Sequence, residues 1–461
     1  MLQRILLFLG LIVGTVITTY YAGGLIAGLY YLGILYAYFR STDEAMWLAF
    51  FLVTADNFIG FFGPYHCTLG ILPGLPAIEI SQMYVLLSIV KAVNKGRVFL
   101  PYYRDMLVVL LVYLIFLVAQ GIAIGLDLQF NIIFRIVKEC LPLFLMYSLP
   151  RLMDKDEDFE RFFNYLFPII FTAFLSQVFT ITMDLTPSEY LGGTKPDKFA
   201  PKVSDGRTYR GIFSSASLLI TMLGALYLLA RKDRKTSTLY LYTVIAANFL
   251  SVFLSATRGW VLSFGFMIFL FMIFVLKFDL RKFFILGMTS IVLFMGLSTL
   301  PIVGTQINNA VKRLSTISAL ADGDPTAGGT LIRLSERSPR VMRKFYESPL
   351  TGWGFSNTFM KYSDLHVGNQ NILMHSGVIG FFLMFLFFFY FNWKQFIASV
   401  SLPEKHALKS APLALIIFFL GWFVIHSSSA QYFGYYLAPT DGILVGSFVS
   451  LGGKLYDTIS S

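Results

Sequence analysis

Apolar runs of about 20 residues recur along the whole chain, and a run of this length crosses a bilayer as an α-helix. Of the 461 residues, 56% are hydrophobic and only 13% are charged. Soluble domains carry about 25% charged residues. The sequence therefore predicts an all-α polytopic membrane protein and excludes a soluble globular domain.

The hydropathy pattern predicts about 14 transmembrane helices. They cover approximately residues 4–22, 24–39, 46–62, 76–92, 105–125, 129–149, 162–184, 211–230, 239–256, 259–277, 283–301, 371–392, 411–427 and 435–452. No small-x-small cleavage site follows the first run, so we expect an uncleaved span rather than a signal peptide. This pattern predicts three regions: a bundle of spans 1–11 in residues 1–301, a large external loop at 302–370, and spans 12–14 in residues 371–461.

The distribution of Lys and Arg predicts the orientation of these spans. Short cytoplasmic loops collect Lys and Arg, whereas long exported loops are exempt from this bias. Every second connection is basic, as in residues 231–235 and in the group of Lys277, Arg281 and Lys282. The even number of spans then predicts that both termini lie in the cytoplasm.

Two long connections on the opposite side are also basic. They cover residues 185–210 and 302–370, and the second carries eight Lys or Arg against five Asp or Glu. One interpretation is that these loops bind an anionic ligand. The other is that long exported segments escape the charge bias, and composition alone does not separate the two.

The second loop contains a predicted basic helix. Ser338 and Pro339 are typical of a helix start, and Pro349 is typical of its end. The helix has a cationic stripe beside an apolar stripe, formed by Arg340, Arg343 and Lys344 and by Val341 and Phe345. Arg333 and Arg337 form another i, i+4 pair upstream. Such a helix suits a lipid-linked phosphate at the interface, or anionic lipid headgroups without any catalysis.

Two arginines lie where apolar runs begin or end. Arg258 separates two runs with almost no loop between them, and Arg210 precedes the run that starts at residue 211. A charge near the bilayer core is costly, so it usually faces a water-filled cavity or a partner. A guanidinium binds phosphate oxygens in a bidentate manner. The alternative is an arginine that extends to lipid phosphates.

His366 is the candidate general base. It lies two residues after Asp364 and three before Asn369, and a neutral imidazole accepts a proton from a hydroxyl near neutral pH. The other histidines show no metal-ligand spacing, so we expect no metal site.

Four motifs, in this order, resemble the superfamily of O-antigen polymerases and O-antigen ligases. They are Arg210-Gly211-Ile212-Phe213, Thr257-Arg258-Gly259, the run Ser348-Pro349-Leu350-Thr351-Gly352-Trp353-Gly354 after the basic helix, and a histidine before Gly377-Val378-Ile379-Gly380. The likeness covers about residues 207–392. Val367 departs from the pattern, because the family commonly has Asn after the histidine.

The resemblance implies an inverting, metal-independent membrane glycosyltransferase with a C-type glycosyltransferase architecture. Members transfer a glycan from undecaprenyl diphosphate to a hydroxyl at the periplasmic face of the bacterial inner membrane. By this analogy Arg210 and Arg258 bind the diphosphate, Arg333 and Arg337 assist, and His366 activates the acceptor. Further candidates at the site are Arg340, Asp364 and Asn369.

The expected partners are an undecaprenyl-diphosphate-linked oligosaccharide donor and acceptor, membrane lipid and a chain-length regulator protein. No cofactor and no nucleic acid are expected. The main interpretation is a polymerase of lipid-linked repeat units. A ligase that transfers glycan to lipid A-core is the first alternative, and a flippase of lipid-linked sugars is the second.

Overall fold

The computed structural model describes residues 2–56, 67–70, 77–95, 101–183, 187–190, 216–277, 280–315, 332–364, 366–428 and 439–460. In these ranges the chain is mostly helical. The helices are α1 (Leu2–Tyr21), α2 (Gly24–Arg40), α3 (Glu44–Ala55), α4 (Ile80–Asn94), α5 (Pro101–Ile124), α6 (Phe130–Cys140), α7 (Leu145–Leu152), α8 (Asp156–Met183), α9 (Pro187–Tyr190), α10 (Ala216–Ala230), α11 (Thr238–Leu254), α12 (Arg258–Phe274), α13 (Leu280–Ser298), α14 (Pro301–Ser315), α15 (Ile332–Glu347), α16 (Asn357–Tyr362), α17 (Gly368–Ser401), α18 (Ala411–Ser428) and α19 (Pro439–Ser460). A 3-10 helix, Leu141–Phe144, joins α6 to α7, and strands β1 (Thr68–Leu69) and β2 (Ile78–Glu79) pair in an antiparallel manner.

Several of these helices are long and apolar enough to cross a membrane. Four qualify on length and composition: Gln3–Tyr21, Leu107–Ile124, Glu157–Met183 and Gly368–Ser401. A bent pair, Gly287–Ser298 with Val303–Lys312, counts as a fifth if the two helices form one broken span. Six further apolar helices are shorter. The architecture is consistent with the all-α membrane protein that the sequence predicts.

Charged residues from successive connections contact one another at one end of the bundle, which we call the ionic end. Arg4 contacts Asp43 at 3.3 Å, so α1 starts where α2 ends. Lys394, near the end of α17, donates to the Tyr456 hydroxyl at 3.3 Å. The last turns of α19 therefore also lie at the ionic end. Further pairs at this end are Lys91–Glu44, Arg161–Asp43, Lys235–Glu157 and Lys277–Glu404.

The connection after α10 shows how these charges are held. Arg231 donates to both carboxylate oxygens of Asp233, at 2.9 and 2.8 Å. The same guanidinium lowers the pKa of the Asp233 carboxyl below its ordinary value. The basic connections that the charge pattern assigns to one side therefore lie together.

One predicted span is wrong in form. The sequence predicts a single span over residues 129–149, but the structure has α6, the 3-10 helix Leu141–Phe144 and α7 in its place. Pro142 has no N–H to donate and disfavours an uninterrupted helix. Arg135 is exposed on α6, and the apolar run is therefore interrupted on one face.

The predicted external loop 302–370 is largely helical where it is described. It begins with α14, whose Gln306 side chain donates to the Leu254 carbonyl at the end of α11 (2.6 Å). The predicted start of the basic helix at Ser338 is also wrong, because α15 begins at Ile332 and contains Pro339. The turn before Pro339 is held from outside the helix, since Arg337 pairs with Asp364 at 3.4 Å.

Candidate functional site

The family-like run containing Gly352 and Gly354 inserts into a break in α17. We call residues 349–357 the glycine segment. Gly377 has φ 62° and ψ −170°, which interrupts the helical hydrogen bonds of α17. The amides of Val378 and Ile379 donate to the carbonyls of residues 349 and 350, at 2.9 and 3.0 Å. The groups released by the break are thereby satisfied by another segment.

The exchange of hydrogen bonds is reciprocal. The amide of Trp353 donates to the Met374 carbonyl at 3.0 Å, and the amide of Gly354 donates to the His375 carbonyl at 2.7 Å. Four backbone bonds thus join the glycine segment to both sides of the break. The segment is part of the packed structure rather than a surface loop.

Glycine is required at this junction because the backbones touch. Gly352 and Gly354 have φ values of 66° and 50°, in the left-handed region. A Cβ on Gly352 would overlap backbone atoms of His375 and Gly377, and a Cβ on Gly377 would overlap backbone atoms of the glycine segment. A Cβ on Gly121 of α5 would lie 2.8 Å from the Phe355 amide nitrogen. The motif spacing therefore reflects close packing of three backbone segments.

Gln120 anchors the same segment to α5. Its side-chain amide donates to the Thr351 hydroxyl at 2.8 Å and to the Gly352 carbonyl at 3.1 Å. The amide of Phe355 donates to the Leu117 carbonyl at 3.2 Å. The sequence analysis did not identify Gln120, although a lone Gln late in an apolar span was a signal available to it.

Asp364 is the centre of a polar cluster beside the glycine segment. Its carboxylate accepts from Arg337 at 3.4 Å and from Arg340 at 3.2 Å. It also accepts from the backbone amide of His366 at 3.0 Å. The side chain of Asp364 is 10% exposed, whereas those of Arg337 and Arg340 are 40% and 48% exposed. One buried carboxylate therefore orients two cations that still reach solvent.

Asn371, in the first turn of α17, holds this cluster in position. The Asn371 side chain accepts the Asp364 amide at 3.0 Å, and Asn371 is buried. His366 is exposed, and Asn369, the second residue of α17, is half-buried. Asp364 thus lies close to the His366 backbone, as the sequence spacing suggests. Val367 is buried, and Asn371 is the side chain that binds the Asp364 amide.

The cationic stripe of α15 divides into two parts in the structure. Lys344 pairs with Glu347 at 2.7 Å and lies 4.8 Å from the centre of the Tyr362 ring, so it is a structural residue. Arg340 and Arg343 are exposed. The predicted apolar stripe is confirmed, because Val341 and Phe345 are buried.

Arg258 is the first residue of α12 and is half-buried. Ala256, in the tight turn before it, has φ 52°. The Ser263 hydroxyl donates to the Gly421 carbonyl, so the start of α12 lies beside the end of α18. Since α17 and α18 are antiparallel neighbours, Arg258 lies at the same end of the bundle as Asp364. We call this the site end.

Two predicted ligands cannot be placed. Arg210 lies outside the described residues, and Arg333 belongs to α15 but its side chain is not described. The joint action of Arg210 and Arg258 on a diphosphate stays a prediction. In the ranges given above, no group of three or more His, Cys, Asp or Glu side chains is arranged to hold a metal ion.

His375 packs against the glycine segment, and the sequence analysis gave it no role at the site. It is buried, its ring stacks on Phe359 at 3.9 Å between centroids, and Phe355 meets it edge-on at 4.9 Å. Neither ring nitrogen has a hydrogen-bond partner among the described residues. It therefore acts as a packing group that connects the glycine segment to α16.

No protein-family model matches this chain, and no curated protein matches it.

Proposed function

We propose that this protein is a membrane glycosyltransferase of the O-antigen polymerase type. It joins undecaprenyl-diphosphate-linked oligosaccharide repeat units, with inversion at the anomeric carbon and without a metal. The observation that carries the proposal is the cluster in which Asp364 orients Arg337 and Arg340 next to His366. The family-like motif lies beside it, packed into α17.

The charges of this cluster suit a diphosphate leaving group. Two guanidiniums share one carboxylate, so the three groups retain one positive charge. Each guanidinium has five N–H donors, and both are about half exposed, which leaves donors for phosphate oxygens. Fixed cations of this kind lower the barrier when negative charge grows on the leaving group. Arg258 supplies a further cation at the same end.

His366 is the proposed general base. The acceptor hydroxyl transfers its proton to the imidazole while its oxygen bonds to the anomeric carbon of the donor. The bond from that carbon to the diphosphate oxygen breaks, and undecaprenyl diphosphate leaves with the electron pair. Asp364 holds the turn that carries His366 through the backbone amide. Attack opposite the leaving group inverts the anomeric centre.

The same proposal includes fourteen spans in a C-type glycosyltransferase architecture. It is supported by the alternation of the described helices between the ionic end and the site end, with the 3-10 helix Leu141–Phe144 and α7 counted together as one passage. The positive-inside bias favours a cytoplasmic ionic end and a periplasmic site end in a bacterial inner membrane. A mechanism at the outer face then requires the site residues to lie away from the basic connections. Asp364 and Arg258 lie at the site end, opposite the ionic end.

The test is a reconstituted reaction. Purified protein is incubated with a lipid-diphosphate oligosaccharide in liposomes, with and without lipid A-core, and the products are separated by size. A ladder of repeats without the core supports the polymerase. Transfer that occurs only with the core identifies a ligase instead. Movement of the lipid between leaflets without bond formation identifies a flippase.

The described ion pairs weigh against the flippase. A flippase needs polar groups along a path through the bilayer to carry a charged headgroup. In the described ranges the ion pairs gather at the ionic end or around α15, as Lys91–Glu44 and Arg340–Asp364 illustrate. The ligase differs from the polymerase only in its acceptor, so the core-dependent reaction is what separates these two.

A further inference from the structure

Helix α6 presents three different faces. Large apolar side chains are exposed along one stripe: Phe130 is 66% exposed, Ile133 39% and Val137 57%. A polar stripe lies to one side and contains Asn131, Arg135 and Lys138, of which the first two are exposed. The third face packs on the protein through Ile132, Ile136 and Cys140. The spacings i, i+3, i+4 and i+7 separate these stripes around one short helix.

The packing of its neighbours places α6 at the site end. Pro142, just after α6, meets Gly442 in the first turn of α19. Lys138 donates to the Ala77 carbonyl at 3.2 Å, just before β2 and the start of α4. The α5–α6 connection reaches the glycine segment, because the Asn357 amide donates to the Gly125 carbonyl at 3.3 Å. Helix α6 therefore begins at the end of α5, and its last turn lies at the same end of the bundle as the starts of α4 and α19.

The exposed apolar stripe of α6 continues a lipid-facing surface. On α5, Ile115, Val118 and Ile122 are exposed, and Leu128 in the connection is 63% exposed. This surface reaches Phe130 through the α5–α6 connection, whose one charged residue, Asp127, is half-buried. If α6 crossed the bilayer, Asn131 and Arg135 would be carried down among acyl chains, where an unscreened charge is costly. If α6 lies in the plane of the interface, its apolar stripe contacts acyl chains and its polar stripe contacts headgroups and water.

We propose that α6 lies in the plane of the membrane at the site end. Its apolar stripe enters the acyl chains of that leaflet, and Arg135 and Lys138 lie at the phosphate layer. The partner is the phospholipid leaflet itself. Through residues 125–127 and Asn357, α6 sets the height of the glycine segment and the Asp364 cluster relative to the headgroups. This inference does not depend on the reaction that the protein catalyses.

Depth measurement tests the proposal directly. Cys67 and Cys140 are replaced by Ser, and single nitroxide labels are placed at Phe130→Cys, Val137→Cys and Arg135→Cys. The full-length protein is reconstituted in vesicles of phosphatidylcholine and phosphatidylglycerol, and depth is taken from the accessibility to oxygen and to an aqueous nickel chelate. Seven residues of helix rise about 10 Å. A helix in the plane gives Phe130→Cys and Val137→Cys the same depth, with Arg135→Cys more accessible to nickel than either.

The matched control is a pair with the same spacing on α5, Leu111→Cys and Val118→Cys, which are both exposed on a membrane-length helix. These two labels differ in depth by about 10 Å. A similar difference within the α6 pair overturns the proposal, and so does an α6 pair that is accessible to nickel but not to oxygen. If Phe130→Cys lowers the yield of folded protein, Ile133→Cys replaces it, with a spacing of about 6 Å from Val137→Cys along the helix.

Discussion

At the scale of single residues, the site depends on which cations remain available to a substrate. Lys344 is occupied by Glu347, whereas Arg337 and Arg340 share one carboxylate and stay partly exposed. Arg258 is held separately, at the first turn of α12. These cations are not distinguishable in the sequence. In the structure, their different partners leave Arg337 and Arg340 suitable for phosphate binding, whereas Lys344 is paired.

Arg258→Lys tests the bidentate role of one guanidinium. Lysine keeps the charge but loses the planar fork, so we expect polymer formation to fall about 100-fold or more while expression is retained. The amount of polymer in the reconstituted reaction is the measurement. Arg104→Lys, at an exposed position at the start of α5, serves as the control and should leave synthesis unchanged. Wild-type polymer levels in Arg258→Lys would rule out the diphosphate contact.

His366→Ala tests the general base. Since the imidazole acts on the acceptor proton, we expect kcat to fall by about 10²- to 10⁴-fold with little change in donor binding. Initial rates and donor affinity are measured in parallel. His406→Ala, on the connection before α18, is the control. A matched loss of donor affinity in His366→Ala would make this histidine a structural residue.

At the scale of elements, the site is built where one helix is broken to receive another segment. Four backbone hydrogen bonds cross between the glycine segment and α17 around Gly377. Gln120 adds two more from α5. Bonds of this kind each contribute about 0.5–1.5 kcal/mol net, but leaving a buried group unpaired costs about 1–3 kcal/mol. The junction is therefore densely hydrogen-bonded, and Asn371 of α17 holds Asp364 through its backbone amide.

Gly352→Ala should disrupt this junction. Alanine in the left-handed region costs about 1–2 kcal/mol. Its Cβ would also overlap the amide nitrogen of Gly377, which adds to the loss. We expect a lower apparent melting temperature in detergent together with reduced synthesis. In Gly28→Ala on α2, the added Cβ has no atom within 4 Å, so stability should be unchanged or slightly higher. Equal melting temperatures for the two variants would contradict the close packing.

At the scale of the whole molecule, the two ends of the bundle differ in their charges. The ionic end joins successive connections by pairs such as Lys235–Glu157 and Lys277–Glu404, whose members are mostly exposed. Exposed pairs contribute only about 0–1 kcal/mol each, so these contacts add little to the stability of the bundle. The site end carries its cations on α15 and α12.

Labelling from opposite sides of the membrane tests this arrangement. In a Cys67→Ser, Cys140→Ser background, Tyr346→Cys and Leu350→Cys probe the site end, where both residues are exposed. Lys235→Cys and Glu404→Cys probe the ionic end. A membrane-impermeant maleimide should label the first two in intact cells and the second two only in inverted vesicles, because the positive-inside bias favours a cytoplasmic ionic end. Labelling of all four from one side would contradict it.

Much of the helical pattern follows from the sequence alone, because burial in lipid requires every backbone group to be paired within a helix. Apolar run length predicts where helices such as α1, α2, α17 and α18 lie. Periodicity predicts the buried stripe of Val341 and Phe345. Run length and periodicity depend only on residues that are near one another in the chain, so they can be read from a single sequence.

The tertiary structure alone decided how the site is assembled. Sequence spacing places Asp364 near His366, but it does not predict that Gln120 and Asn371 hold this region in position. Hydropathy also predicts a continuous span at 129–149. In the structure the 3-10 helix Leu141–Phe144 and α7 pack against α4 and α19, and α6 is a separate amphipathic helix. The reason is physical: periodicity records what each residue prefers to face, whereas the break at Gly377 forms only when a distant backbone segment satisfies the groups that it exposes.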